Sequence, residues 1–162
     1  MEVGMNLILY APAAAAALAV VIASADAADF PKSGEAEYDT YYIMKTVSTL
    51  ETDVGTGGLY DFTGITRNVK GDAAFNNMSV HCLSRWTYIG DKFDHSGSCT
   101  ETDMDGDTIF TTFDNDTHYT IGGTGKYKGI TGSAAYSATP LHKTVDGQEA
   151  YVVNHKVKWE IK

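Results

Sequence analysis

Hydrophobic and polar residues alternate along most of the chain after residue 27, and this alternation predicts β-strands. The clearest example ends the chain, where one strand face would carry Tyr151, Val153, His155, Val157, Trp159 and Ile161. The positions between them carry Val152, Asn154, Lys156, Lys158 and Glu160. A strand of this kind is typical of a sheet with one buried side and one side in water. No sustained helical spacing of apolar residues occurs after residue 27.

Eight segments have strand character, and short turn sequences separate nearly all of them. The predicted strands span residues 34–50, 57–68, 75–90, 92–103, 107–114, 117–123, 131–139 and 151–161. The turns are sequences that tolerate tight hairpins, namely Gly90-Asp91, Asp105-Gly106, Asp114-Asn115-Asp116 and Asp146-Gly147. Closing such a meander removes its exposed edges. We therefore predict an all-β fold, an eight-stranded antiparallel up-and-down barrel, with a β-sandwich as the alternative.

Residues 1–27 are predicted to form a signal peptide that is not part of the fold. Residues 7–25 carry no charge, and Ala25-Asp26-Ala27 has the small-x-small pattern of a signal-peptidase site. A transmembrane helix is the alternative, because the apolar run approaches spanning length. The alanine-rich run, Pro12 and the small-residue ending favour cleavage, although no basic residue precedes the run. The prediction is a single barrel domain over residues 28–162 in a secreted or periplasmic protein, with no membrane span in the mature chain.

The acidic composition restricts the partners. The chain has 12 Lys and Arg against 21 Asp and Glu, and without residues 1–27 it would carry about −7. This charge argues against nucleic acid or an anionic membrane surface as a partner. A hydrophobic fraction of 43% with 11% aromatic residues is enough for a packed core and argues against disorder.

The two cysteines fit a single hairpin register. If Gly90-Asp91 is a two-residue turn, Ile89 faces Lys92 and Cys82 faces Cys99 as a non-hydrogen-bonded pair. The Cα atoms of such pairs lie about 4.5 Å apart, within reach of a disulfide. We predict a Cys82–Cys99 disulfide. A zinc site that includes His81 and His95 is the alternative, but adjacent strand residues point to opposite faces.

The same register predicts which side chains face inward. The strand face shared with Cys82 is the more apolar one, and similar inward aromatics recur on other strands. The candidate ligand-binding residues are therefore Trp86, Tyr88, Phe93, Phe110, Tyr151 and Trp159. With only eight strands, these rings would either line a cavity or fill the barrel completely.

Three polar residues on the predicted inward face are candidate acids, bases or ligand anchors: His95, Glu101 and His155. His95 and Glu101 lie six residues apart on one strand, about 20 Å, so they would not act as a pair. Glu101 lies close to the Asp105-Gly106 turn, where we expect its carboxyl to reach water at the barrel rim. An inward histidine is also compatible with a hydrogen-bonded core residue.

Two motifs resemble ligand sites but lack required residues. Asp103, Asp105 and Asp107 have the spacing of a calcium loop, yet the EF-hand glycine and later glutamate are missing, which favours an acidic turn. Gly122-Gly123-Thr124-Gly125-Lys126 resembles a phosphate loop, but Tyr127 replaces the required Ser or Thr. We expect no metal and no nucleotide or redox cofactor.

The segment from Gly122 to Gly132 resembles a glycine signature of the allene oxide cyclase and dirigent barrel superfamily. It reads Gly-Gly-Thr-Gly-Lys-Tyr-Lys-Gly-Ile-Thr-Gly, with Gly106-Asp107 upstream and the strand over residues 151–161 after it. The resemblance covers roughly residues 103–162. It implies an eight-stranded antiparallel barrel with an apolar cavity, as in fatty-acid epoxide cyclases, proteins that guide phenolic coupling, and secreted bacterial proteins. No position matches the cyclases' catalytic carboxylate, so that activity is not transferred.

Three functions are compatible with these features. The first is a barrel that binds a small apolar or aromatic molecule in its interior. The second is a cyclase or isomerase that holds an unsaturated or polyketide-like substrate in a reactive shape. The third is an envelope structural protein with a filled barrel that self-associates as a homo-oligomer. We favour the first, because the predicted inward face combines many aromatic rings with a few polar groups.

Overall fold

The computed structural model describes residues 30–142 and 145–162, so the predicted signal peptide lies outside the described residues. The chain forms a closed antiparallel barrel in which each strand pairs with the next and the last pairs with the first. The predicted all-β barrel is therefore confirmed. Its strands are β1 (Ser33–Thr52), β2 (Gly55–Asn68), β3 (Ser79–Ile89), β4 (Lys92–Thr102), β5 (Thr108–Asp114), β6 (Thr117–Gly123), β7 (Ile130–Pro140) and β8 (Gln148–Ile161). Among the described residues, no helix has the length and apolar character needed to cross a membrane.

The connections divide between the two ends of the barrel. One end, which we call the closed end, carries residues 69–78, 103–107 and 124–129, the last with a 3₁₀ turn at Gly125–Tyr127. The other end, which we call the mouth, carries residues 53–54, 90–91, 115–116, 141–142 and 145–147. The short mouth connections coincide with the predicted turns at Gly90-Asp91 and at residues 114–116.

A cluster of aromatic and aliphatic side chains fills the closed end. Trp159 contacts Phe30 and Phe75 with ring centroids 5.5 and 5.2 Å apart, and Phe30 also packs edge-on against Tyr127 at 4.9 Å. The Trp159 indole N–H donates to the Pro31 carbonyl at 3.1 Å. Ile130 is fully buried beside them. This packing closes one end of the barrel against water.

The main departure from the predicted strands is at residues 75–78. The sequence predicts a strand from residue 75, but β3 begins at Ser79. Phe75 and Asn77 have φ of 53° and 58°, which no strand adopts, so this segment turns and places Phe75 in the closed-end core. Phe75, whose apolar character suggested a strand, instead packs in the core at the closed end.

The hairpin of β3 and β4 has the predicted register. Ile89 pairs with Lys92, Tyr88 with Phe93, and Cys82 with Cys99. Cys82 and Cys99 form the predicted disulfide, with their Cα atoms 4.0 Å apart. Both cysteines are buried, and the Tyr42 hydroxyl lies 3.5 Å from the Cys82 Sγ atom.

Replacement of both cysteines by alanine should destabilise the barrel. The bond closes a loop with a sequence separation of 17. Its loss relaxes the unfolded chain and lowers the free energy of unfolding by about 3 kcal/mol. Urea unfolding of the double variant and of the oxidised wild-type protein measures this difference. Equal midpoints for the two proteins would contradict it.

Candidate functional site

The mouth half of the barrel contains a cavity of about 340 Å³. Its wall is mostly aromatic, with two imidazoles, one amide and a few small or flexible side chains. The lining residues are Tyr42, Met44, Tyr60, Phe62, Cys82, Tyr88, Phe93, His95, Phe113, Asn115, His118, Tyr136, Ala138, Tyr151 and Val153. This size is at the lower end of the range for small-molecule sites.

The cavity follows from the alternation of the strands. Each strand directs every second side chain inward, and near the mouth those positions carry large rings that meet at the wall. Phe113, Val153 and the Cys82–Cys99 bridge form an apolar cluster that supports the wall. Tyr88 and Phe93 are 47% and 45% exposed although they line the cavity, so the cavity opens to solvent at the mouth.

The structure separates the six predicted ligand-binding residues into groups. Tyr88, Phe93 and Tyr151 line the cavity. Trp86 stands beside it and stacks on Tyr60 with ring centroids 5.4 Å apart. Trp159 lies in the closed-end core, away from the cavity.

Phe110 is the sixth, and its predicted inward orientation is wrong. Its side chain lies on the outer surface and is 39% exposed, whereas Ile109, Thr111 and Phe113 are buried. The reason is the register between β4 and β5, which pairs Thr111 with Cys99 and so places the odd-numbered residues of β5 inside. Both parities of β5 contain a phenylalanine, so the local sequence did not decide between them.

Three histidines line or underlie the cavity, and two of them are sequence candidates. His95 lines the wall, and its Nε2 lies 3.0 Å from the Ser84 hydroxyl. His155 is buried below, where its ring stacks on Tyr38 at 4.6 Å and its Nδ1 lies 3.4 Å from the Thr40 hydroxyl. Burial lowers the pKa of both imidazoles, so both are neutral at pH 7.

His118 is the third histidine, and the sequence analysis missed it. Its ring lines the cavity, stacks on Phe113 at 4.9 Å and meets His155 edge-on at 4.7 Å. Burial lowers its pKa to about 4, and its Nδ1 has no hydrogen-bond partner. The predicted turn at residues 114–116 contained the necessary signal, because it pairs His118 with Phe113 across β5 and β6.

Three further cavity residues have separate reasons: Val153 lies on the predicted inward face of the last strand, Phe113 lies on the β5 face opposite Phe110, and Asn115 lies in the turn after β5. The other missed cavity residues belong to strands whose inward face was not assigned from the sequence, namely Tyr42, Met44, Tyr60, Phe62, Tyr136 and Ala138. Placing them would have required the β1–β2 and β7–β8 registers, which depend on long strands and a bulge near Thr46 and Ser48.

The sequence predicts that the Glu101 carboxyl reaches water at the barrel rim, but the structure buries it. The residue is 3% exposed, lies on the inward face below the cavity, and its Oε2 has no hydrogen-bond partner. Burial raises its pKa to about 7, and a hydrogen bond with Tyr38 opposes that rise. The cavity lining does not include Glu101, so its carboxyl is not placed to act on a molecule held there.

The three aspartates considered for calcium form a structural turn. Asp103 accepts hydrogen bonds from the backbone N–H groups of Asp105 and Asp107 and from the Tyr127 hydroxyl. Lys126 forms ion pairs with Asp103 and Asp105 at 2.7 Å each. Burial would raise the pKa of Asp103, but these hydrogen bonds, led by that from Lys126, hold it below its ordinary value. Over residues 30–142 and 145–162, no group of three or more His, Cys, Asp or Glu side chains is arranged to hold a metal.

The Asp107 carboxylate joins this turn to the glycine-rich segment. It accepts a hydrogen bond from the Lys126 backbone N–H at 3.0 Å and lies against Gly125, whose φ is +50°. A Cβ atom at residue 125 would overlap the Asp107 carboxylate. Glycine is therefore required at this position for close approach as well as for its backbone conformation.

Comparison with known proteins finds similarity to solved structures only. No protein-family model matches the sequence, and no curated protein matches it. Among solved structures, the chain is similar to the pterocarpan synthase dirigent protein GePTS1, with 15% identity and a TM-score of 0.49. The match covers 82% of this chain and 94% of the other. At this identity and TM-score, we base no argument on the likeness.

Replacement of Glu101 by glutamine should change how stability depends on pH. The folded protein binds a proton at Glu101 more tightly than the unfolded chain does, so wild-type stability falls as pH rises from about 4.5 to about 7. The variant lacks this carboxyl and so lacks this fall. The free energy of unfolding of the variant minus that of wild type should therefore increase by roughly 3 kcal/mol over that pH interval. Urea unfolding at several pH values tests this, with Glu160→Gln at an exposed position as the control. Parallel pH profiles for Glu101→Gln and wild type would contradict it.

Replacement of Gly125 by alanine should destabilise the closed end. The new Cβ would both strain a positive φ and displace the Asp107 carboxylate, for a loss of about 2 kcal/mol or more. Gly71→Ala is the matched control, because Gly71 has φ +78° with nothing within 4 Å. Thermal unfolding of both variants separates the two effects. The same loss in each would show that the contact with Asp107 does not matter.

Proposed function

We propose that this protein binds a small aromatic or apolar molecule in the mouth half of its barrel. The observation that carries the proposal is the cavity of about 340 Å³, which has an aromatic wall and opens at the mouth. Large aromatic and aliphatic surfaces with a few polar groups are the usual composition of small-molecule sites. The alternative is a completely filled barrel. It fits the closed end, where aromatic and aliphatic side chains pack together, but not the mouth half, which contains the cavity.

The wall offers specific contacts to a ring. Its aromatic side chains already pair with one another in stacked and edge-on geometries, as Tyr42 and Tyr60 do with Phe62 at 5.6 and 5.8 Å. A flat ligand extends the same type of packing. His95, His118 and Asn115 supply polar groups that orient it.

A cyclase or isomerase is the second candidate. The observation that favours it is the pair of neutral imidazoles in the cavity wall, since the unprotonated ring nitrogen of a neutral imidazole can act as a general base. Glu101 and His155 lie below the cavity, so His95 and His118 are the residues to test for such a role.

We also propose secretion or export to the periplasm, supported by the disulfide. Self-association stays a prediction.

Filling the cavity should abolish binding. Ala138 lines the wall, and Ala138→Trp places an indole in the space that the ligand needs. Ala135→Trp makes the same change on the outer face of the same strand and should have no effect. N-phenyl-1-naphthylamine, a neutral aromatic probe, should show saturable fluorescence with wild type and Ala135→Trp but not with Ala138→Trp. Failure of wild type to bind this probe or any ring compound would overturn the proposal.

A further inference from the structure

The charges of the barrel are distributed unevenly between its ends. We assign to each end the residues of its connections and the two strand residues on either side of each connection. By this count the mouth contains seven acids, Glu51, Asp53, Asp91, Asp114, Asp116, Asp146 and Glu149. Among the described residues counted there, the only lysine is Lys92. Counted in the same way with the terminal residues included, the closed end has equal numbers of acidic and basic residues. These are Glu101, Asp72, Asp103, Asp105, Asp107 and Glu160 against Lys32, Arg67, Lys70, Lys126, Lys128 and Lys162.

Some of these acids act directly on the cavity wall. The Tyr151 hydroxyl donates to the Glu149 carboxylate at 2.7 Å. Burial raises the pKa of Tyr60, and the charges of Tyr88 and Glu149 add to that rise. On the other side, burial raises the pKa of Tyr136 to about 12, with further contributions from Asp116 and Asp114. Negative potential therefore reaches the cavity from two sides.

The wall itself carries no opposing charge. Among the described residues that line the cavity there is no Lys or Arg, and burial lowers the pKa of both lining imidazoles, so neither is protonated at neutral pH. The π faces of Tyr and Phe rings attract cations. A cleft that opens between charges of one sign also concentrates ions of the other sign.

A second observation marks the cavity as a ligand site independently of the acids. His118 is 7% exposed, lines the wall, and has an Nδ1 atom without a hydrogen-bond partner. A buried polar atom of this kind is rare in a finished protein core, because leaving it unpaired costs free energy. A ligand atom in the cavity would supply the missing partner once the His118 ring turns this enclosed atom toward the cavity.

We propose that the ligand of this cavity is an organic cation, an ammonium group joined to an aromatic or apolar body, with the charge near Glu149, Tyr60 and Tyr151. The proposal rests on the proposed function and specifies its ligand class. The aromatic or apolar body of the ligand lies against the buried ring of Phe113, and the ammonium faces the acidic mouth. The negative charge of the mouth disfavours an anion of the same shape.

Three probes of matched shape test the charge preference: 2-phenylethylammonium, 2-phenylethanol and 3-phenylpropanoate. Isothermal titration should give about tenfold tighter binding for the cation than for the alcohol, and no measurable binding for the anion. The preference should shrink between about 20 and about 500 mM NaCl, because salt screens the mouth carboxylates. Ala138→Trp should abolish binding of the cation and Ala135→Trp should not, which places the cation in the cavity.

The variant that tests the anchor is Glu149→Gln. It should weaken cation binding about three- to tenfold and leave 2-phenylethanol unchanged, since only the charge is removed. Glu35→Gln is the matched control, because Glu35 is an exposed acid on β1 near the closed end that pairs with Lys158. Equal or tighter binding of the alcohol than of the cation would overturn this inference and leave the proposed function standing. Absence of binding for all three probes would overturn both.

Discussion

The pairing of β1 with β8 is the constraint on which the rest of the molecule depends. Thirteen residue pairs join the two strands, from Ser33 with Glu160 to Lys45 with Gln148. Without this pairing the eight strands would form an open sheet with two exposed edges and with its large rings facing water. Once it forms, every inward side chain faces another one, and the closed-end core and the aromatic cavity exist together. Closure thus creates both the stability of the barrel and the space inside it.

The interior is arranged in three levels that meet different requirements. The closed end is packed with rings and aliphatic side chains, whereas the mouth half leaves space among its rings. Between them lie polar residues such as Glu101 and His155, which are buried with unpartnered atoms. Unpartnered polar atoms reduce stability, and the disulfide and the closed-end core offset that cost. These polar residues lie at mid-barrel, directly below the cavity, where a purely stabilising core would carry apolar side chains.

The sequence predicts those parts of this fold that depend on neighbouring residues. The β3–β4 hairpin has a two-residue turn, so its register, its faces and the Cys82–Cys99 bridge all follow from counting outward. Phe75 was misplaced because its position depends on contacts in the closed-end core, and Phe110 because the longer connection at residues 103–107 does not fix the register between β4 and β5. His118 was missed although the short turn at residues 115–116 pairs it with Phe113, because its place in the cavity also requires that Phe113, and not Phe110, faces inward. The cavity is formed by all eight strands together, so local alternation can predict rings inside the barrel but not the space between them.

The first and last residues that the structure describes lie at the same end of the barrel. Phe30 packs into the closed-end core, the backbone N–H of Ile161 donates to the Lys32 carbonyl, and that of Lys162 donates to the Gly129 carbonyl. Phe30 and Lys162 therefore both lie at the closed end, opposite the mouth. A tether at either point would hold the barrel with its opening directed away from the attachment, so the cavity would stay accessible to molecules arriving from solution.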